Sequence, residues 1–294
     1  MRGILRRSAL TILLLSGFSE ASTGTADALV LCRRPFSPAA RLGPAAYAVL
    51  AGPWAASGNP AALSSGISAS GGTAALESST AGAAAALSAG GGIMVGLSLQ
   101  WLGHGGIQGR DEQGLPVGEY SWSSGSLSAA LAADVAHSLR AGVSFGPVWE
   151  SAGDEGATGL TSSAGILWNA SPSIDVGLAL ENFGSAPDWS GVQKNMPVEI
   201  SLGAAWKPSG MISIIGGGSL GFHTSSRLSA AAEVRSGSVA LSGGWELVPD
   251  DPEASGPFAG VGYIYESSGI YRVDVAVTRD EFGWPVLAGL SAGF

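Results

Sequence analysis

The sequence predicts an all-β fold, a transmembrane antiparallel β-barrel of about fourteen strands. Three observations carry the prediction. From about residue 67 the chain is a series of short segments in which apolar residues alternate with small or polar ones. Long polar connections and short turns mostly alternate between those segments. The chain then ends on an amphipathic run, with Val286, Ala288, Leu290, Ala292 and Phe294 on one face and Leu287, Gly289, Ser291 and Gly293 on the other. A period of two is the mark of a strand, and membrane barrels use strands of roughly 10 residues, apolar outward and polar inward.

The N-terminus reads as an export signal. Arg2, Arg6 and Arg7 precede the apolar run Leu10 to Leu15, and the small residues Ala21, Ser22, Ala26 and Ala28 follow. That order of regions defines a secretory signal over residues 1–28, cleaved after Ala26 or Ala28. No later run reaches the roughly 20 apolar residues of a spanning helix. Cys32 is the single cysteine, so an intrachain disulfide is excluded. Leu31 stands before it, where a lipid-acylation site would need a small residue, so Cys32 reads as incidental. The net charge of −9 excludes a phosphate-binding surface for nucleic acid.

Residues 29–66 are rich in Ala and Pro and lack a sustained period of two. The barrel is assigned to 67–294. Alternation is clear in each of its better segments. Ile93, Val95, Leu97, Leu99 and Trp101 oppose Gly96, Ser98 and Gln100. Leu139, Ala141, Val143, Phe145 and Trp149 oppose Arg140, Gly142, Ser144 and Gly146. Ile174, Val176, Leu178 and Leu180 oppose Asp175, Gly177 and Glu181. Val198, Ile200, Leu202, Ala204 and Trp206 oppose Glu199, Ser201 and Gly203. Leu228, Ala230, Ala232 and Val234 oppose Arg227, Ser229, Glu233 and Arg235. Tyr271, Val273, Val275 and Val277 oppose Arg272, Asp274 and Thr278. The alternative, a soluble β-sandwich, sorts charged from apolar faces less sharply and uses strands averaging about 5–6 residues.

The connections orient the barrel. Residues 102–117, 150–158, 183–196 and 248–257 read as long polar loops. Short turns fall near Ala136, Ser171–Pro172, Lys207–Gly210, Ser236–Gly237 and Ser267–Gly269. A tight link near Thr224 breaks the pattern. Outer-membrane barrels have long extracellular loops and short periplasmic turns. With Phe294 at the periplasmic side, the long loops fall outside.

The face opposite the apolar one carries Arg140, Asp175, Glu181, Glu199, Arg227, Glu233, Arg235, Arg272 and Asp274. A selective pore carries a ring of one sign. Mixed signs favour pairing across strands or with an inserted segment, hence a largely plugged lumen, and the many inward Gly, Ala and Ser leave room for one. The alternative is that the charges hydrate a water-filled interior. Trp101, Trp149, Trp206, Trp245 and Tyr271 lie on the apolar face near strand ends and, with Phe294, read as a girdle at the membrane interface. Trp122 and Trp189 fall off this scheme.

The sharpest local motif is Ser57-Gly58-Asn59-Pro60-Ala61-Ala62-Leu63. Pro60 lacks an amide donor and biases Asn59 away from helix, so Asn59 can hold a turn through its side chain. A second stretch runs Leu180-Glu181-Asn182-Phe183-Gly184, Met196-Pro197-Val198 and Leu202-Gly203-Ala204-Ala205-Trp206-Lys207-Pro208. With the aromatic final strand, these motifs resemble the PorV/PorQ-like proteins of the wider FadL-like group of outer-membrane barrels. The chain departs in Phe183, where that group prefers Leu. The resemblance implies a fourteen-stranded barrel with residues 29–66 folded into the lumen as a hatch holding Asn59, Pro60, Ala61 and Leu63. It implies either passage of hydrophobic small molecules across the outer membrane or retention of exported protein cargo or a translocon partner. The expected partners are outer-membrane lipid and, through the C-terminal strand, the barrel-assembly machinery.

No catalytic constellation emerges. His104, His137 and His223 have no metal-type spacing, no Gly-x-Ser-x-Gly elbow is present, and Gly90-Gly91-Gly92 lacks the lysine of a phosphate loop. Asp250, Asp251 and Glu253 lack cation-loop spacing and read as a solvated loop. The expectation is therefore a non-catalytic protein without a metal or cofactor.

Overall fold

The computed structural model describes residues 29–32, 42–43, 45–74, 78–110, 113–189, 195–279 and 283–293. The export-signal reading of residues 1–28 and the girdle reading of Phe294 lie outside the described residues. Fourteen strands form one closed antiparallel barrel. In chain order they are β1 (Gly66–Thr73), β2 (Ser79–Gly90), β3 (Ile93–Arg110), β4 (Pro116–Ala136), β5 (Leu139–Ala152), β6 (Glu155–Ser171) and β7 (Ile174–Ser185). There follow β8 (Val198–Ser209), β9 (Ile212–Phe222), β10 (Arg227–Ser236), β11 (Val239–Leu247), β12 (Gly256–Glu266), β13 (Ile270–Thr278) and β14 (Val286–Gly293). Each strand pairs with the next, and β14 pairs with β1 from Ile67↔Ala292 to Gly72↔Leu287. Closure leaves no free sheet edge, which an element surrounded by lipid requires.

The pleat sorts the sequence into two faces. Leu97, Leu99, Val143, Phe145, Leu178, Leu202, Val273 and Val275 are all exposed on the outer surface. Alternate positions such as Ser98, Ser144, Ala179, Ser201 and Asp274 are buried inside. A greasy exterior around a small and polar interior is the inverse of a water-soluble fold, and lipid is the solvent that suits it. Among the described residues no helix is long and apolar enough to cross a membrane.

Short turns follow every even-numbered strand up to β12, on the rim where β1 begins and β14 ends. Gly91, Gly92 and Gly237 adopt positive φ in them, where a side chain would be strained. The opposite rim carries the longer connections, and two of these differ from the sequence expectation. Residues 150–158 are no long loop: β5 and β6 continue in register to Ala152↔Glu155 around Gly153, at φ 59. Residues 102–117 are mostly strand, with β3 and β4 paired as far as Arg110↔Pro116 across a bulge at His104/Ile107. Here Glu119, Tyr120 and Ser121 are exposed whichever way they point, so the alternation disappears although the ladder persists. The connection 248–255 holds a 3-10 turn, Pro252–Ala254, in which the Asp251 side chain accepts from the Ala254 amide.

Inside the barrel lies the N-terminal segment. It comprises α1 (Leu29–Cys32), α2 (Ala46–Val49) and two 3-10 turns, Pro53–Ser57 and Pro60–Ala62. Ala46, Ala48, Ala56, Ala61, Ala62 and Leu63 form one buried cluster with the wall residues Ala86, Ala132, Leu167, Ala205 and Ile215.

Candidate functional site: the lumen and its plug

The plug is seated on glycines. An added Cβ on Gly142 would lie 2.5 Å from the Ala61 nitrogen, one on Gly177 only 1.8 Å from the Ala48 carbonyl, and one on Gly203 2.4 Å from the Ala45 carbonyl. On Gly165 it would lie 2.0 Å from Asn59 Oδ1. Gly142 pairs with Gly165, and Gly177 with Gly203, across their strands. At this row the inward face of β5 to β8 carries no side chains, and the backbone of residues 45–61 fits against it. Short inward residues in a strand mark such close approach of another backbone.

Asn59 is fully buried at the centre of this contact. Its Oδ1 accepts from the Ala61 amide at 3.0 Å, and its Nδ2 donates to the carbonyls of Ala48 at 2.7 Å and Ile166 at 3.1 Å. One side chain therefore caps the Pro60–Ala62 turn, holds the preceding helix and ties both to β6. A buried amide with its hydrogen bonds made is the arrangement that avoids a desolvation penalty. Pro60 supplies the first turn residue, where its missing donor costs nothing. Leu63 is fully buried against Gly96, and its carbonyl accepts from Arg140 Nη1 at 2.9 Å. Arg140 also lies 2.9 Å from Asp134 as an ion pair. At the far end, the Trp54 indole donates to Ser68 at 2.8 Å, and Ser68 donates to the Leu290 carbonyl at 2.9 Å, so the plug reaches the seam where β1 meets β14.

The other inward charges fall into groups. Near the short-turn rim Asp175 pairs with Lys207 at 2.7 Å and accepts from Asn169, and Arg235 pairs with Glu266. Just inside that rim Arg272 bridges Glu233 at 3.1 Å and Asp274 at 2.7 Å, and at the opposite ends of β10 and β11 Arg227 pairs with Glu246 at 2.6 Å. Glu181 and Glu199 are buried opposite one another on β7 and β8. Asn182, next to Glu181, has φ 59, and the strand bulges there so that both residues turn inward. Glu150 and Glu246 also lie on this face, beyond the charges expected there from the sequence. The outward Trp149 and Trp245 beside them were the signal available.

A second buried apolar cluster lies towards the long-loop rim. Val30 and Leu31 of α1 meet Leu102, Val148 and Met196 there, with Trp122 packed against them. The Val30 amide donates to Ser124 at 3.3 Å. Trp189 donates to the buried Glu150 at 3.3 Å. The two tryptophans that fit no girdle thus belong to this mouth.

Outside, Trp101, Trp206, Trp245 and Tyr271 are exposed, and Trp149 is half-buried. Trp101 and Trp149 flank Gly125 in one cross-strand row, and Trp149 lies over that glycine. Trp168, Tyr263 and Tyr265 join the outer aromatics without having been singled out; Trp168 shares the exposed face of Ile166, a period-two signal. Among the described residues no group of three or more His, Cys, Asp or Glu is placed to hold a metal ion.

No protein-family profile matches the chain, and no curated protein sequence does. Solved structures do. The toluene transporter TbuX of Ralstonia pickettii superposes with a TM-score of 0.60 at 14% identity, covering 87% of this chain and 99% of that one. The toluene transporter TodX of Pseudomonas putida gives 0.60 at 10% identity, over 86% and 95%. A FadL homologue from Pseudomonas aeruginosa gives 0.57 at 12% identity, over 86% and 99%. The class of protein this defines is the fourteen-stranded barrel fold that FadL-type channels share. At these identities the likeness is one of fold.

Proposed function

We propose that this chain is a non-catalytic barrel of the bacterial outer membrane through which small hydrophobic molecules pass. The observation that carries the reading is the apolar cluster of Leu102, Val148 and Met196 facing Val30 and Leu31 inside the long-loop half of the lumen. A barrel interior is ordinarily polar. An apolar patch beside the mouth, covered by α1, is a place for a molecule that water rejects once α1 moves aside. Leu102, Val148 and Met196 would hold the apolar body. The plug, with Asn59, Pro60, Ala61 and Leu63, would act as the hatch below it. The paired inward charges would hold the wall around the hatch, and Trp101, Trp149, Trp206, Trp245, Tyr271 and Phe294 would anchor the barrel at the lipid interface. Support comes from the fold shared with two proteins described as toluene transporters. In this reading residues 1–28 are the cleaved export signal, and the long loops face outward.

The test is uptake by cells that express the chain in place of their own apolar-solute barrels, using a radiolabelled monoaromatic. Faster uptake than in the empty host, reduced by Val148→Asp with surface expression unchanged, supports the reading. Equal rates in both would end it.

A second reading, retention of an exported protein, has one observation in its favour: the tall β3–β4 hairpin exposes Leu115, Val117 and Tyr120. The fold comparisons add nothing to it. Deleting residues 105–119 should abolish capture of a surface partner while leaving uptake intact. Unchanged capture would discard it.

A further inference from the structure

Between the plug and the seam of the barrel lies a small pocket of about 80 Å³. Its walls are mostly apolar, from Tyr47, Leu50, Pro53 and Trp54, and its polar edge is Ser68 and Ser291. These two serines face each other across the closing strands, close to where β1 begins and β14 ends at the short-turn rim. The pocket therefore sits on the opposite side of the plug from the apolar mouth. Among the described residues no charged side chain lines it.

The two hydroxyls are unequal. Ser68 already accepts from Trp54 and donates to the Leu290 carbonyl. Ser291 is half-buried, its backbone lies in the ladder, and its hydroxyl makes no hydrogen bond with any described residue. It presents a donor and an acceptor to an otherwise greasy chamber. Apolar walls with one or two convergent polar groups are the usual make-up of a small-molecule site. A neutral lining would leave an ionised group unpaired, which excludes a charged ligand. The volume is about half that of a cavity of ~150 Å³ known to admit benzene, and the pocket is open on one side, so it takes the end of a small molecule and not the whole of it.

We infer that this pocket binds the hydroxyl-bearing end of a small neutral amphiphile, a short-chain alcohol being the simplest case, with the hydroxyl on Ser291 and the alkyl part against Trp54 and Leu50. It would be a release site on the inner side of the plug. The release role rests on the uptake reading above; the binding itself does not.

The test uses the full mature barrel in lipid nanodiscs, labelled with 5-fluorotryptophan. The Trp54 fluorine signal is assigned by its loss in Trp54→Phe. Butan-1-ol is titrated against n-butyl chloride, its hydroxyl-free counterpart. The expected result is a saturable shift of the Trp54 signal, with Ser291→Ala weakening butan-1-ol about tenfold, the equivalent of one hydrogen bond, and leaving n-butyl chloride unchanged. Ala51→Phe, a change at an exposed lining position, should abolish saturation while the barrel stays folded. A linear shift shared with the outward Trp101, Trp206 and Trp245 would mean partition into the bilayer and would overturn the proposal. So would saturation that Ala51→Phe leaves unchanged. Saturable binding in a protein that gives no uptake would sink the uptake reading and keep the site; uptake without saturation would do the reverse.

Discussion

Asn59 and Gly165 are held so close that a single added methyl group on the glycine would fall 2.0 Å from the Asn59 Oδ1. The plug and the wall are fitted to each other at this point. A side chain that makes three hydrogen bonds needs the space that a missing side chain leaves.

Gly165→Ala should therefore unseat the plug without opening the barrel. Overpacking a fitted contact costs about 1–3 kcal/mol. Segment 45–63 should become sensitive to protease, while the heat-modifiable gel mobility of the folded barrel persists. The same change at Gly105, where a Cβ meets open space, should do neither.

Asn59→Ala leaves the Ala48 and Ile166 carbonyls and the Ala61 amide without their partner. Each unsatisfied buried group costs about 1–3 kcal/mol. Equilibrium unfolding from lipid vesicles should show the plug releasing at lower denaturant than in the wild type. Asn59→Asp keeps the bond to Ala61 but loses both donors, so it should be no better than alanine. An unchanged transition in both variants would contradict the role given to Asn59.

Arg272 holds Glu233 and Asp274 together inside β10 to β13. Removing one partner of a buried ionic group costs about 3–5 kcal/mol, whereas removing all of it is often nearly neutral. Arg272→Met should lower the unfolding midpoint, and Arg272→Met with Glu233→Gln and Asp274→Asn should recover most of the loss.

Val275 and Val117 are both exposed, but on different surroundings in this account. Val275 lies within β13 and faces outward; Val117 sits on the tall hairpin. An arginine facing the membrane midplane costs about 2–4 kcal/mol. Val275→Arg should destabilise the barrel in lipid by roughly that amount, and Val117→Arg by less than about 0.5 kcal/mol, the usual range of a surface change.

Much of this architecture is legible in the sequence. Strands such as 198–206 alternate cleanly because one side meets lipid and the other a packed lumen, and each face demands its own residue type. The alternation fails where both faces meet water, which is why the upper parts of β3 to β6 were read as loops although their ladder continues. At Asn182 a bulge shifts the period by one, a change of backbone that composition does not announce. The Asn59-Pro60 turn could be read from local chemistry. Its partners could not, because Gly165 and Ile166 are brought to it only by barrel closure, and a glycine in a strand looks the same whether it faces a backbone or empty space.

The most direct test of the account is hydrogen exchange of the mature barrel in lipid nanodiscs, read over residues 45–63. The buried Asn59–Leu63 turn should exchange as slowly as the strands of the wall, far more slowly than the exposed hairpin around Val117 to Tyr120. Exchange of residues 59–63 as fast as that hairpin would mean that the segment is not seated in the lumen, and the plug, its glycine track and the pocket beneath it would all have to be given up.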